Sequence, residues 1–391
     1  MALTGPKNRE NRYLRAALGL ARRGYGTTSP NPMVGAILVK RGAIIGRGWH
    51  HRAGEPHAEI VAIRDARKKG HNVQGAALYV TLEPCSTHGR TPPCTQAIVA
   101  AGIKRIVAGA IDPNPRHRGL GLKILRRAGL AVSQGLRAEE CARLNESFNH
   151  WVVEGTPFVT VKAAMTLDGK IATADGESKW ITGERARAYG MKLRQGADAI
   201  LVGINTLLAD DPSLTVRSPR PNVLSPMPQA RSAQRAFQKQ GLRRIVLDAK
   251  GRTPLGAKLA CDEYAALTTV VVNESAPRRR VAALARRVKV LVAPGSGHKI
   301  NLPWLLKKLG SENVTSLLVE GGGEVNASFL LQGLAQRVAF FYAPIILGGH
   351  DAHRAVAGDG ASTLAESLSL TGLEWRRLGP DWLLTARVGS R

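Results

Sequence analysis

The sequence is poor in cysteine and in aromatic residues, and it has no long hydrophobic run. Four cysteines in 391 residues are too few for a disulfide scaffold, and a large cytosolic chain more often uses cysteine for metal binding or catalysis. Aromatic residues make up only 5%, which disfavours a base-stacking surface for nucleic acid. No apolar run reaches the roughly 20 residues that cross a bilayer, and residues 1–24 lack the apolar core and cleavage site of a signal peptide. We therefore expect a cytoplasmic protein without a membrane anchor.

Acidic residues are also scarce, and this imbalance bears on the partners of the protein. The chain has 56 Lys and Arg against 29 Asp and Glu, a formal net charge of +27. Such an excess favours anionic partners, which include nucleic acid, phosphorylated metabolites and nucleotide cofactors. The basic residues are spread along the chain, and short clusters such as residues 278–280 contain no interleaved aromatic residue. We therefore expect small phosphorylated ligands rather than nucleic acid as the main partners.

The length of the chain and the order of its patterns indicate two domains of α/β type. A chain of 391 residues exceeds the size of one ordinary hydrophobic core. Strand-like and helix-like segments alternate in both halves, which favours sheets covered by helices. A new strand-like run, TPFVTVKAAMT, starts directly after Gly155 and has Pro157 as its second residue. We therefore place the domains at residues 1–150 and 151–391. The polar, Pro-rich residues 218–240 are typical of an exposed insertion.

Four residues of the first half have the types and the order of a catalytic metal site. His57, Cys85 and Cys94 offer one imidazole and two thiolates, a set that suits Zn²⁺ and leaves a fourth position for water. Glu59 stands two residues after His57 at a predicted helix start, where a carboxylate reaches the metal-bound water as a proton shuttle. The order matches the H-x-E…P-C-x-x-C signature of zinc nucleobase deaminases, except that eight residues instead of two separate the cysteines.

The longer loop, EPCSTHGRTPPC, resembles the deaminase half of the bifunctional riboflavin-biosynthesis deaminase/reductase family. The stretches GTTSPNPMVGA, GWHHRAGEPHAE and DPNPRHRGLG are also similar to that family. The resemblance implies a cytidine-deaminase-like domain with three layers, α/β/α. It implies that Asn31 and His50 bind the pyrimidine or its sugar and that Glu59 carries the protons. The implied substrate is 2,5-diamino-6-ribosylamino-4(3H)-pyrimidinone 5′-phosphate. Thr87 stands where the family often has His, with His88 beside it.

A glycine-rich turn lies late in the second half. LLVEGGGEVNASFLL is typical of a strand, a turn and a helix, and consecutive glycines allow a backbone to approach phosphate at a helix N-terminus. The stretch departs from G-x-G-x-x-G because Asn326 replaces the third glycine, and no acid follows about 20 residues later. A tight structural turn is therefore the alternative.

Other stretches of the second half resemble the reductase half of the same family. They are VKAAMTLDGKIATADGESKWITG, NTLLADDPSLTVR and VLDAKGRTPLGAKL. The resemblance implies a dihydrofolate-reductase-like α/β domain that uses NADPH to deliver hydride to C1′ of the ribosyl group, which opens the sugar to a ribityl chain.

The resemblance also implies the residues of this second site. Lys162 and Asp210 are the candidates for polar catalysis. The implied substrate-binding residues are Ser178, Arg194, Leu214, Arg217 and Glu320. The implied NADPH-binding residues are Ala164, Trp180, Thr206, Asp210, Ala249, Gly322, Gly323, Glu324, Val325, Asn326, Ala327 and Ser328. Arg194 and Arg217 suit phosphate because a guanidinium pairs with two phosphate oxygens. Family members often have Ser where this chain has Ala249.

Two alternatives use the same residues differently. A nucleic-acid-editing zinc deaminase with a basic appended domain would suit the net charge of +27, but the cysteine spacing and the NADPH-type second half oppose it. A zinc-stabilised nucleic-acid-binding protein would need a fourth protein ligand, for which His88 is the nearest candidate. We also expect a homo-oligomer and one zinc ion per chain.

Overall fold

The computed structural model describes residues 6–88, 92–217, 241–295, 297 and 299–389. The chain divides into two compact units, Met1–Gly155 and Thr156–Arg391. The expected exposed insertion at residues 218–240 lies outside the described residues. None of the helices within them is long and apolar enough to span a membrane.

A mixed sheet forms the centre of the first unit. Over residues 6–88 and 92–155, its strands follow the order β2-β1-β3-β4-β5. They are β1 Gly35–Lys40, β2 Ala43–Trp49, β3 Ala77–Leu82, β4 Arg105–Ala110 and β5 Ala131–Gln134. Strand β1 is antiparallel to β2 and β3, whereas β3, β4 and β5 are parallel. The sequences of strands β1 and β3 are largely continuous apolar runs, because each strand is buried on both faces of the sheet.

Helices cover both faces of this sheet. They are α1 Pro6–Ala21, α2 Ala58–Lys68, α3 Cys94–Ala100, α4 Leu120–Arg127, α5 Ala138–Leu144 and α6 Glu146–Glu154. Helices α2, α3 and α4 bury residues such as Ala62, Ile98 and Leu122 against one face. Helices α1 and α5 bury Leu14 and Cys141 against the other. The expected three-layer α/β/α architecture is therefore confirmed.

The segment around the expected domain boundary is mostly helical. Its central part is helix α6, which ends where Gly155 adopts the left-handed region with φ 70°. The first unit accordingly runs to Gly155.

The second unit contains a larger sheet with mostly parallel strands. Over its described residues the order is β11-β10-β9-β8-β12-β6-β13-β16-β15. The strands are β6 Phe158–Thr166, β8 Ala199–Gly203, β9 Arg243–Leu247, β10 Thr268–Asn273, β11 Lys289–Ala293, β12 Ser316–Val319, β13 Arg337–Ala343, β15 Leu370–Leu378 and β16 Asp381–Val388. The antiparallel pairs in these described residues are β13 with β16 and β16 with β15. Strands β7 Lys170–Ala172 and β14 His353–Arg354 form a separate pair.

Helices also cover this second sheet on both faces. They are α7 Glu184–Gly196, α8 Ile204–Asp210, α9 Lys258–Cys261, α10 Arg278–Ala285, α11 Leu302–Ser311 and α12 Gly323–Leu331. One core contains Leu305 and Phe329, and the other contains Leu259 and Leu284. Because β6, β8, β9 and β12 are parallel, the segments that follow them emerge at one edge of the sheet, where open α/β sheets bind ligands.

Candidate active sites

The three expected metal ligands meet in the first unit. His57 Nδ1 lies 3.5 Å from Cys85 Sγ and 3.3 Å from Cys94 Sγ, and one ligand atom from each residue lies within 4.8 Å of the others. His57 immediately precedes helix α2, Cys85 follows strand β3, and Cys94 is the first residue of helix α3. These separations fit three ligands around one zinc ion at Zn–N and Zn–S distances of about 2.0–2.3 Å.

The thiols and the imidazole of this cluster perturb one another. Hydrogen bonding with Cys94, together with that of His57, lowers the pKa of Cys85 to about 4. Hydrogen bonding with Cys85 raises the pKa of His57. The Cys94 backbone N–H also donates to Cys85 Sγ at 3.3 Å. A lowered pKa favours the thiolate, which is the form that binds metal.

The position of helix α2 depends on two glycines in strand β2. A Cβ on Gly46 would lie 2.4 Å from the carbonyl oxygen of Ala62, and one on Gly48 would lie 2.2 Å from that of Ala58. Only glycine therefore allows the helix to pack this closely on the strand. This contact places the first turn of α2, which carries Glu59, beside the cluster.

Glu59 is a buried carboxylate at the edge of the metal cluster. It is only 3% exposed, and burial raises its pKa to about 7 against the opposing effect of His57. It also forms a hydrogen bond with Cys94. A carboxyl group with a pKa near neutrality both accepts and releases a proton during turnover.

His50 and Asn31 lie next to the metal cluster. Asn31 Nδ2 and His50 Nε2 are 3.1 Å apart, and the ring of His50 contacts that of His57 edge-on with a centroid separation of 5.3 Å. His50 Nδ1 lies 3.3 Å from the carbonyl oxygen of Pro56. The sequence stretches that contain these residues therefore converge on one site.

Sequence reasoning did not single out Glu83, which organises another part of the site. Its two carboxylate oxygens accept four backbone hydrogen bonds, from the N–H groups of Asp112, Gly119, Gly121 and Leu122. These bonds hold the segment DPNPRHRGLG against the residues that lead to Cys85. The sequence offered one signal for this role: Glu83 follows an apolar strand and stands directly before Pro-Cys.

In the second unit, Lys162, Arg194 and Glu320 form a partly buried ion-pair cluster. Arg194 Nε and Nη2 donate to Glu320 Oε1 and Oε2 at 2.8 and 3.0 Å, and Lys162 Nζ lies 3.6 Å from Glu320 Oε2. Burial alone would raise the pKa of Glu320, but the Arg194 and Lys162 charges outweigh it and lower that pKa to about 2. Glu320 therefore stays ionised.

The segment that carries Leu214 and Arg217 is held by two arginines. Arg194 Nη1 donates to the carbonyl oxygen of Thr215 at 3.1 Å. Arg244 donates to that of Ser213 at 3.0 Å. Leu214 is buried with φ 51°, whereas Arg217 is exposed. Arg244 was not expected from the sequence, because the run RRIVL opens with two arginines and gives no sign that the second is buried.

The glycine-rich turn lies against helix α8. A Cβ on Gly322 would lie 3.4 Å from Thr206 Oγ1, and one on Gly323 would lie 2.3 Å from the carbonyl oxygen of Arg354. Strand β12 precedes the turn, and helix α12 begins at Gly323. The expected strand, turn and helix are thus all present, and the turn faces the start of helix α8.

The other residues expected in the second site, the cofactor residues Ala164, Trp180 and Asp210 and the substrate residue Ser178, lie on separate segments. Asp210 ends helix α8, and its Oδ1 lies 3.4 Å from Lys179 Nζ. Trp180, next to Lys179, is 70% exposed, with the Arg187 guanidinium 4.8 Å from its ring centroid. Ala164 lies on β6 two residues after Lys162, whereas Ser178 lies in the segment after β7. Among the described residues, Ser178 forms no hydrogen bond with Lys162 or Glu320.

Family matches define the class of protein, a zinc-binding α/β deaminase unit followed by an α/β reductase unit. The first unit matches the cytidine and deoxycytidylate deaminase zinc-binding region over residues 7–110, and the second matches the RibD C-terminal domain over residues 157–384. The riboflavin biosynthesis protein RibD of Actinobacillus pleuropneumoniae is 40% identical over 95% of this chain and 93% of its own length.

Solved structures agree with this match. That of Acinetobacter baumannii RibD is 34% identical with a TM-score of 0.83, over 98% of this chain and 100% of that one. That of the Thermotoga maritima diaminohydroxyphosphoribosylaminopyrimidine deaminase/5-amino-6-(5-phosphoribosylamino)uracil reductase is 34% identical with a TM-score of 0.81, over 98% and 99%. The chain belongs to the RibD family of bifunctional riboflavin-biosynthesis enzymes, with a zinc-binding deaminase domain and a dihydrofolate-reductase-like reductase domain.

Proposed function

We propose that the first unit deaminates 2,5-diamino-6-ribosylamino-4(3H)-pyrimidinone 5′-phosphate and that the second unit then reduces its ribosyl group to a ribityl chain with NADPH. The main observation behind this proposal is that His57, Cys85 and Cys94 lie together, next to the buried carboxyl of Glu59. That arrangement supports hydrolytic deamination rather than a structural metal site. Within residues 6–88 and 92–155, the cluster of possible metal ligands contains three residues, and a structural zinc site would require four.

In the deamination, the chain supplies the ligands and moves the protons. His57, Cys85 and Cys94 would hold the zinc ion, which would supply a water molecule activated for attack on the carbon that bears the 2-amino group. Glu59 takes a proton from that water and delivers one to the departing amino group, which leaves as ammonia. Asn31 and His50, which contact each other, orient the pyrimidine by hydrogen bonds.

In the reduction, residues of the chain orient the sugar and bind its negatively charged 5′-phosphate. NADPH, when bound at the turn of residues 322–328, would be the reductant and would supply a hydride for C1′ of the ribosyl group. Lys162, held by Glu320, donates a hydrogen bond to the opening sugar. Arg194 has donors beyond those it uses on Glu320 and Thr215, and together with the exposed Arg217 it binds the 5′-phosphate. Asp210 takes part in cofactor placement and polar catalysis.

We further propose a cytoplasmic homo-oligomer with the deaminase in residues 1–150 and the reductase in residues 151–391. Support for association comes from the edge strand β15 and its neighbour β16. Their side chains Leu373, Trp375 and Trp382 are 53%, 56% and 44% exposed. Exposed apolar residues on an open sheet edge favour pairing with another chain.

The proposal is tested by giving the purified protein the diaminopyrimidine phosphate with and without NADPH. Ammonia should be released in both cases, and NADPH should be oxidised only when the deaminated product has formed or is supplied directly. Release of ammonia from single-stranded RNA but not from the pyrimidine phosphate would instead favour the editing deaminase. Failure to oxidise NADPH with the deaminated product would contradict the second activity.

A further inference from the structure

The segment that follows helix α8 is held in a backbone conformation that its residues do not prefer. Asp211 and Leu214 have φ values of 40° and 51°, in the left-handed region, which is especially unfavourable for a bulky residue such as Leu. Such conformations persist only where surrounding contacts enforce them. Asp211 Oδ1 accepts a hydrogen bond from the backbone N–H of Lys258 in helix α9 at 2.9 Å, and the carbonyl oxygen of Thr215 accepts one from Arg194. Contacts from distant parts of the chain therefore fix both ends of this segment.

Arg244 anchors the middle of the same segment. It lies on strand β9 and is only 1% exposed, and its Nη1 donates to the carbonyl oxygen of Ser213 at 3.0 Å. Its Nη2 donates to the carbonyl oxygen of Leu259 in helix α9, also at 3.0 Å. Both nitrogens bind the carboxylate of Asp262, which directly follows that helix, at 2.6 and 2.7 Å. One guanidinium therefore joins helix α9 to the strained segment.

Stability alone is a weak reason for an arginine at this position. Hydrophobic residues of similar volume often replace a buried ion pair without loss of stability. The surroundings would suit such residues, because the next residues of the strand, Ile245 and Val246, are buried, and Leu259 packs in the same core as Val246. What the guanidinium adds is direction. Its planar donors, once held by a carboxylate, define where the carbonyl oxygen of Ser213 must lie.

We propose that Arg244 is a positioning residue of the reductase, which fixes the segment from Ser213 to Arg217 so that Arg194 and Arg217 bind the substrate phosphate together. This inference rests on the proposed function, in which these two arginines hold the 5′-phosphate. Thr215 stands between Ser213 and Arg217, and its carbonyl oxygen accepts a hydrogen bond from Arg194. Fixing Ser213 therefore fixes the spacing of the two phosphate-binding side chains. At 1% exposure, Arg244 itself does not reach a ligand.

The test compares the deaminated product with the same compound without its 5′-phosphate. KM and kcat for both compounds are measured with NADPH for the unchanged full chain, for Arg244→Lys and for the double variant Arg244→Met/Asp262→Leu. Lys keeps the charge, but its single nitrogen cannot replace two Nη atoms that bind different carbonyl groups. The double variant removes the ion pair without leaving a buried charge unpaired, so it should remain folded.

The expected loss is specific to the phosphate. In both Arg244 variants, KM for the phosphorylated compound should rise about 10- to 100-fold, while kcat should change less than about threefold, because the phosphate is remote from C1′. The inhibition constant of ribose 5-phosphate should rise by the same factor. KM and kcat for the compound without phosphate should change less than about twofold. A merely structural role would not change the ratio of kcat/KM between the two compounds.

Arg243→Met is the matched control. Arg243 is the preceding residue of the same strand, but it pairs with Glu312 instead, at 2.7 Å. This substitution also removes an arginine from an ion pair of strand β9, and it should leave the ratio between the two compounds unchanged.

The outcomes separate this inference from the function on which it rests. A folded double variant with an undiminished preference for the phosphorylated compound would overturn the role of Arg244 and leave the reductase assignment standing. Equal losses with both compounds would also overturn it, because they would indicate general damage to the unit. Unfolding of both Arg244 variants, seen by circular dichroism, would make Arg244 a structural residue and contradict the proposal. Failure of the unchanged protein to reduce the deaminated product would remove the proposed function and this inference together.

Discussion

Replacing Glu320 by Gln should destabilise the second unit and abolish its reductase activity. The Glu320 carboxylate, 11% exposed, neutralises Arg194 and Lys162, whose side chains are 12% and 21% exposed. Gln has nearly the same shape but no charge. It would leave two largely buried cations facing a neutral amide, and such unpaired buried charges are costly.

The pKa of Glu320 sets the size of the expected effect. Folding lowers the pKa of Glu320 from the usual 4.5 to about 2. This change means that the folded state favours the charged form by about 3 kcal/mol. Because folding lowers this pKa, the stabilisation is complete above about pH 4.5 and is lost as the pH falls towards 2. We therefore expect Glu320→Gln to lower the free energy of unfolding by about 3 kcal/mol at pH 7, and we expect the difference from the unchanged protein to shrink at low pH.

Hydrogen exchange followed by mass spectrometry measures this effect in the second unit alone. Peptides that cover strand β12 and helix α7 should exchange about 100-fold faster in Glu320→Gln at pH 7. Glu184→Gln, an exposed glutamate on α7, is the control and should change exchange little. Adding Arg194→Met to Glu320→Gln should restore part of the protection, because it removes an unpaired cation. Exchange rates in Glu320→Gln equal to those of the unchanged protein would refute the reasoning.

Three further predictions concern the two activities. Glu59→Gln should abolish ammonia release while one zinc per chain remains bound, and near-normal release with confirmed zinc content would exclude the proton-shuttle role. Elemental analysis should show that Cys94→Ala loses zinc whereas Cys141→Ala and Cys261→Ala retain it; zinc loss in either of the last two would mean that the ligand set is wrong. Lys162→Ala should stop NADPH oxidation with the deaminated product supplied and leave ammonia release nearly intact. Loss of both activities in a variant that remains folded by circular dichroism would show that the two sites depend on each other.

The metal cluster could be predicted from the sequence because its chemistry limits the choice of residues. One histidine and two cysteines next to a carboxylate at the right places are uncommon, and the structure brings the three ligands together. The glycines of β2 were not expected to matter for this site. Their role depends on how closely helix α2 approaches the strand, and a single sequence does not state which helix covers which strand. The same is true of Glu83, whose four backbone bonds join segments about 30 to 40 residues apart.

The second unit could be predicted as alternating strands and helices, but its internal electrostatics could not. Arg194 and Glu320 are 126 residues apart in the chain, and neither has neighbours in the sequence that mark it as buried. Arg244 is 1% exposed and donates two hydrogen bonds to Asp262, at 2.6 and 2.7 Å, although it looks like a surface residue of a strand. Such pairs can be predicted only when the order of strands in the sheet is known. Sequence pattern therefore identified the elements, whereas tertiary contacts determined which charges are paired.

Glu59 and Glu320 show how such contacts give two chemically identical residues different tasks. Both are largely buried, and burial alone raises the pKa of each. Around Glu59 the opposing influence of His57 is too small to cancel this effect, and the pKa remains near 7. Around Glu320 two cations reverse the effect and lower the pKa to about 2. A carboxyl group with the first value exchanges protons at neutral pH, as the proposed deamination requires. One with the second value remains charged through turnover, so it can hold Lys162 in place but cannot act as a general acid.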